Sequence, residues 1–338
     1  LSDIKDLKMY MCRKFLIILL PFLMLLTFGA PAQETDEDES DDSGGSGNNQ
    51  QAAPAAPPQA EVWGEPGPAS APAASPANTG EMVSVPAGEF GMGCYGLVDG
   101  YCESEEWPYH KVYLDQYQID KYEVTVAQYE DCVRAGACPE PERYSASDKW
   151  AKSCNYGNAD RRDHPINCVI WQDADSYCKW AGKRLPTEAQ WEKAARGTDG
   201  RAYPWGNTPP SCEYAVLPLR GPDSKPDEHG CGRASTWPVG SKPLDVSTYG
   251  VMDMAGNVSE WVVDWYDRGS SSTTSYYQNS PAKNPTGPAT GKMRISRGAS
   301  WNFWAMTEAA RTSARHYQVP GAPDDRKRKT GVGFRCVR

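Results

Sequence analysis

Apolar and polar positions along this chain change over in short bursts, and the bursts predict short elements. In Leu185–Gly197 (LPTEAQWEKAARG), Trp191, Ala194 and Ala195 share one helical face. Thr187 and Gln190 have capping-box spacing, and Gly197 supplies a left-handed stop. Two more helices are predicted, over Thr125–Ala135 ended by Gly136 and over Trp171–Ala181 ended by Gly182. Lys111–Ile119 (KVYLDQYQI) alternates with the period of a strand. Thr198-Asp199-Gly200 predicts a tight reversal into Tyr203-Pro204-Trp205-Gly206-Asn207. No internal repeat is visible. With 31 Gly and 28 Pro, the chain is punctuated too often for long elements, which predicts one irregular, loop-rich domain over residues 81–338.

The amino end follows a different pattern. Arg13 and Lys14 precede the apolar run Phe15–Phe28, and Ala30-Pro31-Ala32 has the small-x-small form of a signal-peptidase site. The run contains Pro21 and is shorter than the roughly 20 apolar residues that span a bilayer. A cleaved signal over residues 1–32 is therefore expected, with 1–8 an extension upstream of Met9 and no membrane span left after cleavage. Its location is expected to be periplasmic, cell-surface or secreted. Residues 33–80 start with seven acidic residues in Glu34–Asp42 and continue as a Pro/Ala-rich run, too poor in apolar surface to offset its ordering entropy. They read as a disordered linker.

Composition narrows the function. The net charge is −9, from 35 Lys+Arg against 44 Asp+Glu, opposite to the basic excess of a nucleic-acid binder. The acidic linker supplies most of it, so the charge says nothing about a ligand of the folded part. Ten of the 11 cysteines follow the signal, an even number that reads as disulfides in an exported chain. There is no C-x-x-C pair for a structural zinc. The four histidines, 110, 164, 229 and 316, have no paired ligand spacing.

Several phrases then fall in one order: VSVPAGEFGMG (Val83–Gly93), IDKYEVTVAQY (Ile119–Tyr129), HPINCVIWQDADSYCKWAGKRLPTEAQWEKAARG (His164–Gly197), YPWGN, YGVMDMAGNVSEW (Tyr249–Trp261), RGASW and GVGFRCVR. This set resembles the formylglycine-generating enzyme family, the sulfatase-modifying factors, across residues 82–337. The resemblance implies an α+β fold, a single compact domain with little regular structure, grouped with the C-type-lectin-like folds. It implies a bridge between Cys178 and Cys336. Proximity along the chain then pairs Cys94 with Cys102, Cys132 with Cys138, Cys154 with Cys168 and Cys212 with Cys231.

The family's founding enzymes oxidise a sulfatase cysteine to formylglycine with dioxygen and a copper(I) ion held by two thiolates in R-G-G-S-W-x-C-x-x-x-x-C. Counted from Arg297, the two cysteine positions here are Phe303 and Glu308. Phenylalanine offers no lone pair, and one carboxylate is a hard ligand for a soft ion. Copper and formylglycine generation are therefore not expected. Ser300, Trp301, Asn302 and Trp304, with Arg311 and Arg315, are the candidate groove. The plainer alternative has Trp301 and Phe303 filling the core and the two arginines, at helical i, i+4 spacing, in structural salt bridges.

The resemblance also implies calcium, held by the Asp253 and Glu260 side chains and the Gly256 and Val258 carbonyls, hard oxygen donors on a tight turn. Ser259 stands where many relatives carry tryptophan. A second family calcium site reads as lost, since Val216 follows Tyr214-Ala215 and HGCGRAST (His229–Thr236) has no aspartate. The expectation is an exported, disulfide- and calcium-stabilised binding or scaffold module for a protein, peptide or glycan ligand. The alternative is an enzyme of the same fold with other oxidative chemistry.

Overall fold

The computed structural model describes residues 80–141, 151–219, 229–267, 275–302, 307–320 and 330–338, all within one compact unit, Pro68–Arg338. The expected signal, nearly all of the linker, Phe303 and Trp304 lie outside the described residues. Among the described residues no helix is long and apolar enough to cross a membrane.

The amino-terminal part of the domain is built from two antiparallel pairs. Strand β1 (Met82–Val85) and β2 (Gly88–Met92) precede the single-turn α1 (Gly96–Asp99), and then β3 (His110–Leu114) and β4 (Tyr117–Asp120) follow. β2 pairs with β3 and β1 with β4. The alternating run Lys111–Ile119 is thus two strands, not one. It breaks because the two halves serve different partners and because the Asp115 amide leaves the ladder to donate to Asn284 Oδ1 at 3.0 Å.

The three predicted helices form at their predicted places: α2 (Val126–Arg134), α3 (Trp171–Trp180) and α4 (Glu188–Arg196). Thr125 and Thr187 cap α2 and α4, each hydroxyl accepting from an N3 amide while the N3 glutamine returns a bond to the cap. Gly136, Gly182 and Gly197 all have positive φ after the helices they end. Residues 198–200 form the expected turn, with Gly200 at φ 75°, and a second turn follows in which the Tyr203 and Gly206 amides each donate to the other's carbonyl at 2.9 Å.

The carboxyl-terminal part holds β5 (Ser259–Tyr266), β6 (Met293–Arg297), β7 (Arg315–Gln318) and β8 (Val332–Gly333), in a four-stranded sheet of order β7-β6-β5-β8. β8 runs parallel to β5. One core packs Phe90, Val112, Leu114 and Ile119 against Trp191, Ala194, Val262 and Ile295. A second packs Val126, Tyr129 and Tyr177 of α2 and α3 against Trp261 and Phe334. The Cys178–Cys336 bridge crosses the second core and binds α3 to the carboxyl terminus. The other four bridges join the pairs expected from proximity.

α4 is more buried than its pattern implies. Its apolar face meets the first core, yet Glu188, Glu192, Lys193 and Arg196 on the other sides are buried too. Arg297 at the end of β6 pairs with Glu188 at 2.9 Å and with Glu192 at 2.7 Å, and Arg196 grips Asp99 of α1. This ion network lies beneath the sheet and fixes the strands that carry the site.

Candidate functional site

Paired residues of antiparallel strands share a face, so the register sets Trp261, Ser296 and His316 on one side of the sheet. That side is only partly filled. Ser259 of β5, Ser296 of β6, and His316 and Gln318 of β7 line a cavity of about 270 Å³, together with Ser300 and Glu105. The lining is polar and already organised. Ser259 Oγ donates to the Arg297 carbonyl at 3.2 Å, Gln318 Nε2 donates to Ser296 Oγ at 3.1 Å, and Ser300 Oγ donates to Asn302 Oδ1 at 3.4 Å. Gly298 turns the chain from β6 toward Ser300 with φ 78°, and a Cβ there would come within 2.9 Å of the Met254 carbonyl.

Of the six residues expected to form the groove, only Ser300 and Arg315 line this cavity. Trp301 is 4% exposed and donates from Nε1 to the Thr330 carbonyl, and Asn302 donates to Thr330 Oγ1. Both anchor the segment before β8 and are not groove surface. Arg315 is ion-paired with Glu188 and lies over the Tyr277 ring at 3.8 Å. Arg311 makes a two-bond pair with Glu106, at 2.7 and 2.8 Å. Each guanidinium is thus committed to a carboxylate, and the two form no anion clamp. Trp304 lies outside the described residues.

Glu308, at one of the two cysteine positions, is exposed in the short turn Thr307–Ala310. Every described cysteine is in a bridge, so no thiol is available among them. His110, His164 and His229 bond to Pro108, Thr236 and Pro218, as capping histidines do. Ser296, His316, Gln318 and Glu105 carry no sequence signal that marks them as lining. Ser259 did carry one, the departure from the relatives' tryptophan.

A second constellation surrounds the turn before β5. Asp253 takes φ 60° and accepts the Gly240 amide at 2.6 Å, and a Cβ on Gly256 would strike the Val216 carbonyl at 2.5 Å. Glu260 accepts from Arg335 through both oxygens at 2.7 Å and from Trp191 Nε1 at 2.9 Å. Two unforeseen carboxylates join them. Glu123 accepts from Asn257 Nδ2 and the Val258 amide, and Asp245 Oδ1 is buried with no hydrogen-bond partner. Burial pushes the Asp253 carboxyl up to about 6, and burial with the nearby Asp253 charge raises Glu123 and Asp245 well above the usual range. Four buried carboxylates around one arginine make an imbalance that protons or an oxygen-seeking divalent cation would relieve. Among the described residues, however, no three of them bring ligand oxygens within 4.8 Å of one another, so backbone carbonyls would have to complete a site. Glu260 already accepts three hydrogen bonds, so it would meet an ion only through its remaining lone pairs.

Fold and site together define a single disulfide-stapled α+β domain whose polar cavity sits on a sheet face above a buried ion network. Residues 68–338 match the sulfatase-modifying factor enzyme 1-like domain, and the chain belongs to that family. It is 34% identical over 318 residues to a formylglycine-generating enzyme of Streptomyces coelicolor, covering 83% of this chain and 95% of that protein. It is 30% identical over 253 residues to a hercynine oxygenase of Mycolicibacterium smegmatis, covering 68% of this chain and 56% of that protein. Among solved structures it resembles PvdO from Pseudomonas aeruginosa, with TM-score 0.60 and 25% identity over 80% of this chain and 99% of that one.

Proposed function

We propose that this chain is an exported binding module of the family, without copper–thiolate oxidase activity, and that the sheet-face cavity holds its ligand. One observation carries the reading: the cavity is open and its lining is rich in hydroxyl, amide and imidazole groups beside Glu105 and Arg315, while Phe303 and Glu308 stand where the resemblance puts the thiolate pair. Mostly neutral hydrogen-bonding walls, with the Glu105 carboxylate and an Arg315 already paired to Glu188 as the charged members, suit a peptide backbone or a glycan better than a free ion. Ser259 is central to this, because an indole at that position would occupy space that the hydroxymethyl group leaves free.

Calcium belongs to the same proposal. Asp253 and Glu260, with the Gly256 and Val258 carbonyls, would hold the ion, and bound there it would cross-link the turn to β5 and neutralise buried charge. It supplies no chemistry to the cavity.

Peptide and glycan arrays probed with the purified chain test the reading. Binding that is lost in Ser259→Trp, with the fold retained by circular dichroism, supports it. Conversion of a sulfatase-derived cysteine peptide to its aldehyde by the copper(I)-loaded chain would overturn it. A second reading, an enzyme of other oxidative chemistry, is favoured by the hercynine oxygenase relative and by the His316 imidazole in the cavity. Iron in the purified chain, removed by His316→Ala, would favour that reading, and calcium alone the first.

A further inference from the structure

The Cys94–Cys102 bridge closes a loop with a separation of eight residues, and α1 lies inside it. A ligand oxygen of Glu106 and the two sulfurs all lie within 4.8 Å of one another, the only such metal-ligating group among the described residues. While the sulfurs are bonded to each other they offer no thiolate. The question is what remains in place when that bond opens.

The local framework does not depend on the bridge. The Gly93 amide donates to Glu192 at 2.7 Å, and the Cys94 amide donates to the Glu106 carbonyl at 3.0 Å. Inside the loop, Asp99 accepts the Tyr95 amide at 2.7 Å and, through both carboxylate oxygens, Arg196 Nη2 at 2.7 and 2.8 Å. Glu106 is itself held by Arg311. Charge-assisted hydrogen bonds thus pin the chain on both sides of Cys94, within the loop, and at the carboxylate. With the bridge open, two sulfurs would stay close to a fixed carboxylate.

This bridge also combines the features of a reducible one. Two of the five close fewer than ten residues, and short loops gain least from cross-linking. In the other short bridge, both Cys132 and Cys138 are buried, whereas Cys102 is partly exposed. Arg311 Nη1 lies 3.5 Å from Cys94 Sγ, where its positive charge favours a departing thiolate.

The geometry points to a reduction-gated metal site in which Cys94, Cys102 and Glu106 bind a divalent d¹⁰ ion of the zinc type. A dithiol reductant attacks Cys102 Sγ through one thiolate, and the bond to Cys94 Sγ breaks, releasing Cys94 as a thiolate. The reductant's second thiol resolves the mixed disulfide and frees Cys102. Two electrons enter the chain and the reductant leaves as a disulfide. Two thiolates and one carboxylate then carry three negative charges against the single positive charge of Arg311, and a divalent ion balances the set. Mixed sulfur and oxygen donors with one position open suit zinc.

The test uses the full purified chain, metal-free and anaerobic, with stepwise dithiothreitol and mass-spectrometric mapping of alkylated cysteines. Cobalt(II) is the probe, because thiolate–cobalt charge transfer reports sulfur ligation directly. Cys94 and Cys102 are expected to be alkylated first, and one equivalent of cobalt(II) then gives a charge-transfer band that zinc(II) displaces. Cys94→Ser should abolish the band. Glu106→Gln, which keeps the bridge for folding, should retain the band but weaken binding at least about tenfold, the scale on which even outer partners of a metal act. Prior opening of another bridge overturns the proposal. So does open Cys94–Cys102 without a band, or affinity unchanged in Glu106→Gln.

Discussion

Asp264 shows how far one side chain can depart from what its neighbours in sequence announce. It sits in the strand stretch SEWVVDWY, where an acidic residue reads as solvent-facing, yet it is 4% exposed. The register of β5 against β6 shifts between Trp261 and Trp265, and this turns Asp264 toward α4, where it accepts the Glu188 amide at 2.8 Å. Burial, and then the nearby Glu188 charge, push its carboxyl up to about 8. An unfolded chain holds an aspartate near 3.9. Between those values the folded state keeps a proton that the unfolded state has released, so stability falls as pH rises from about 4 to about 8. The contribution is up to one proton, or ~1.4 kcal/mol per pH unit. Asp264→Asn should flatten the decline of the urea midpoint between pH 5 and pH 8. An unaltered slope would mean that Asp264 titrates normally. Glu123 and Asp245, also raised, leave a residual slope of the same sign.

At the scale of elements, helices were more legible than the contacts they make. Thr187, Gln190 and Gly197 announced both ends of α4, because capping is a local matter of three or four residues. Its burial on all sides was not legible. Glu188 and Glu192 meet Arg297, more than a hundred residues away, and no periodicity encodes a pairing of that range. The cavity was hidden for the same reason, since His316 and Ser296 become neighbours only through strand register. The two kinds of interaction predict different losses. Thr187→Ala removes a cap and should reduce stability by about 1 kcal/mol. Arg297→Ala leaves Glu192 with only Arg196, at 3.4 Å, and Glu188 with only Arg315, so negative charge in the interior is under-compensated and the loss should be roughly 3–5 kcal/mol. Urea melts of both variants check the ratio. Equal losses would show that the ion network adds nothing beyond ordinary local contacts.

Across the whole molecule, the carboxyl terminus acts as the closing strap. Val337 bridges both Ile119 and Arg184, Phe334 fills the second core, and β8 completes the sheet edge beside β5. Cys336 ties this segment to α3 over a separation of 158 residues, while Cys132–Cys138 spans only 6. The chain-entropy model assigns stabilisation by loop length: about 5 kcal/mol for the long bridge and about 2.4 kcal/mol for the short one. Cys178→Ala with Cys336→Ala should therefore lower unfolding free energy by roughly twice as much as Cys132→Ala with Cys138→Ala. The difference should persist at all pH values, because neither pair titrates while bridged. Chemical denaturation of the two double variants decides it. If the short bridge proves equal or larger, native contacts around Cys132 dominate over loop closure, and the terminal strap is held by packing and strand pairing instead of by its disulfide.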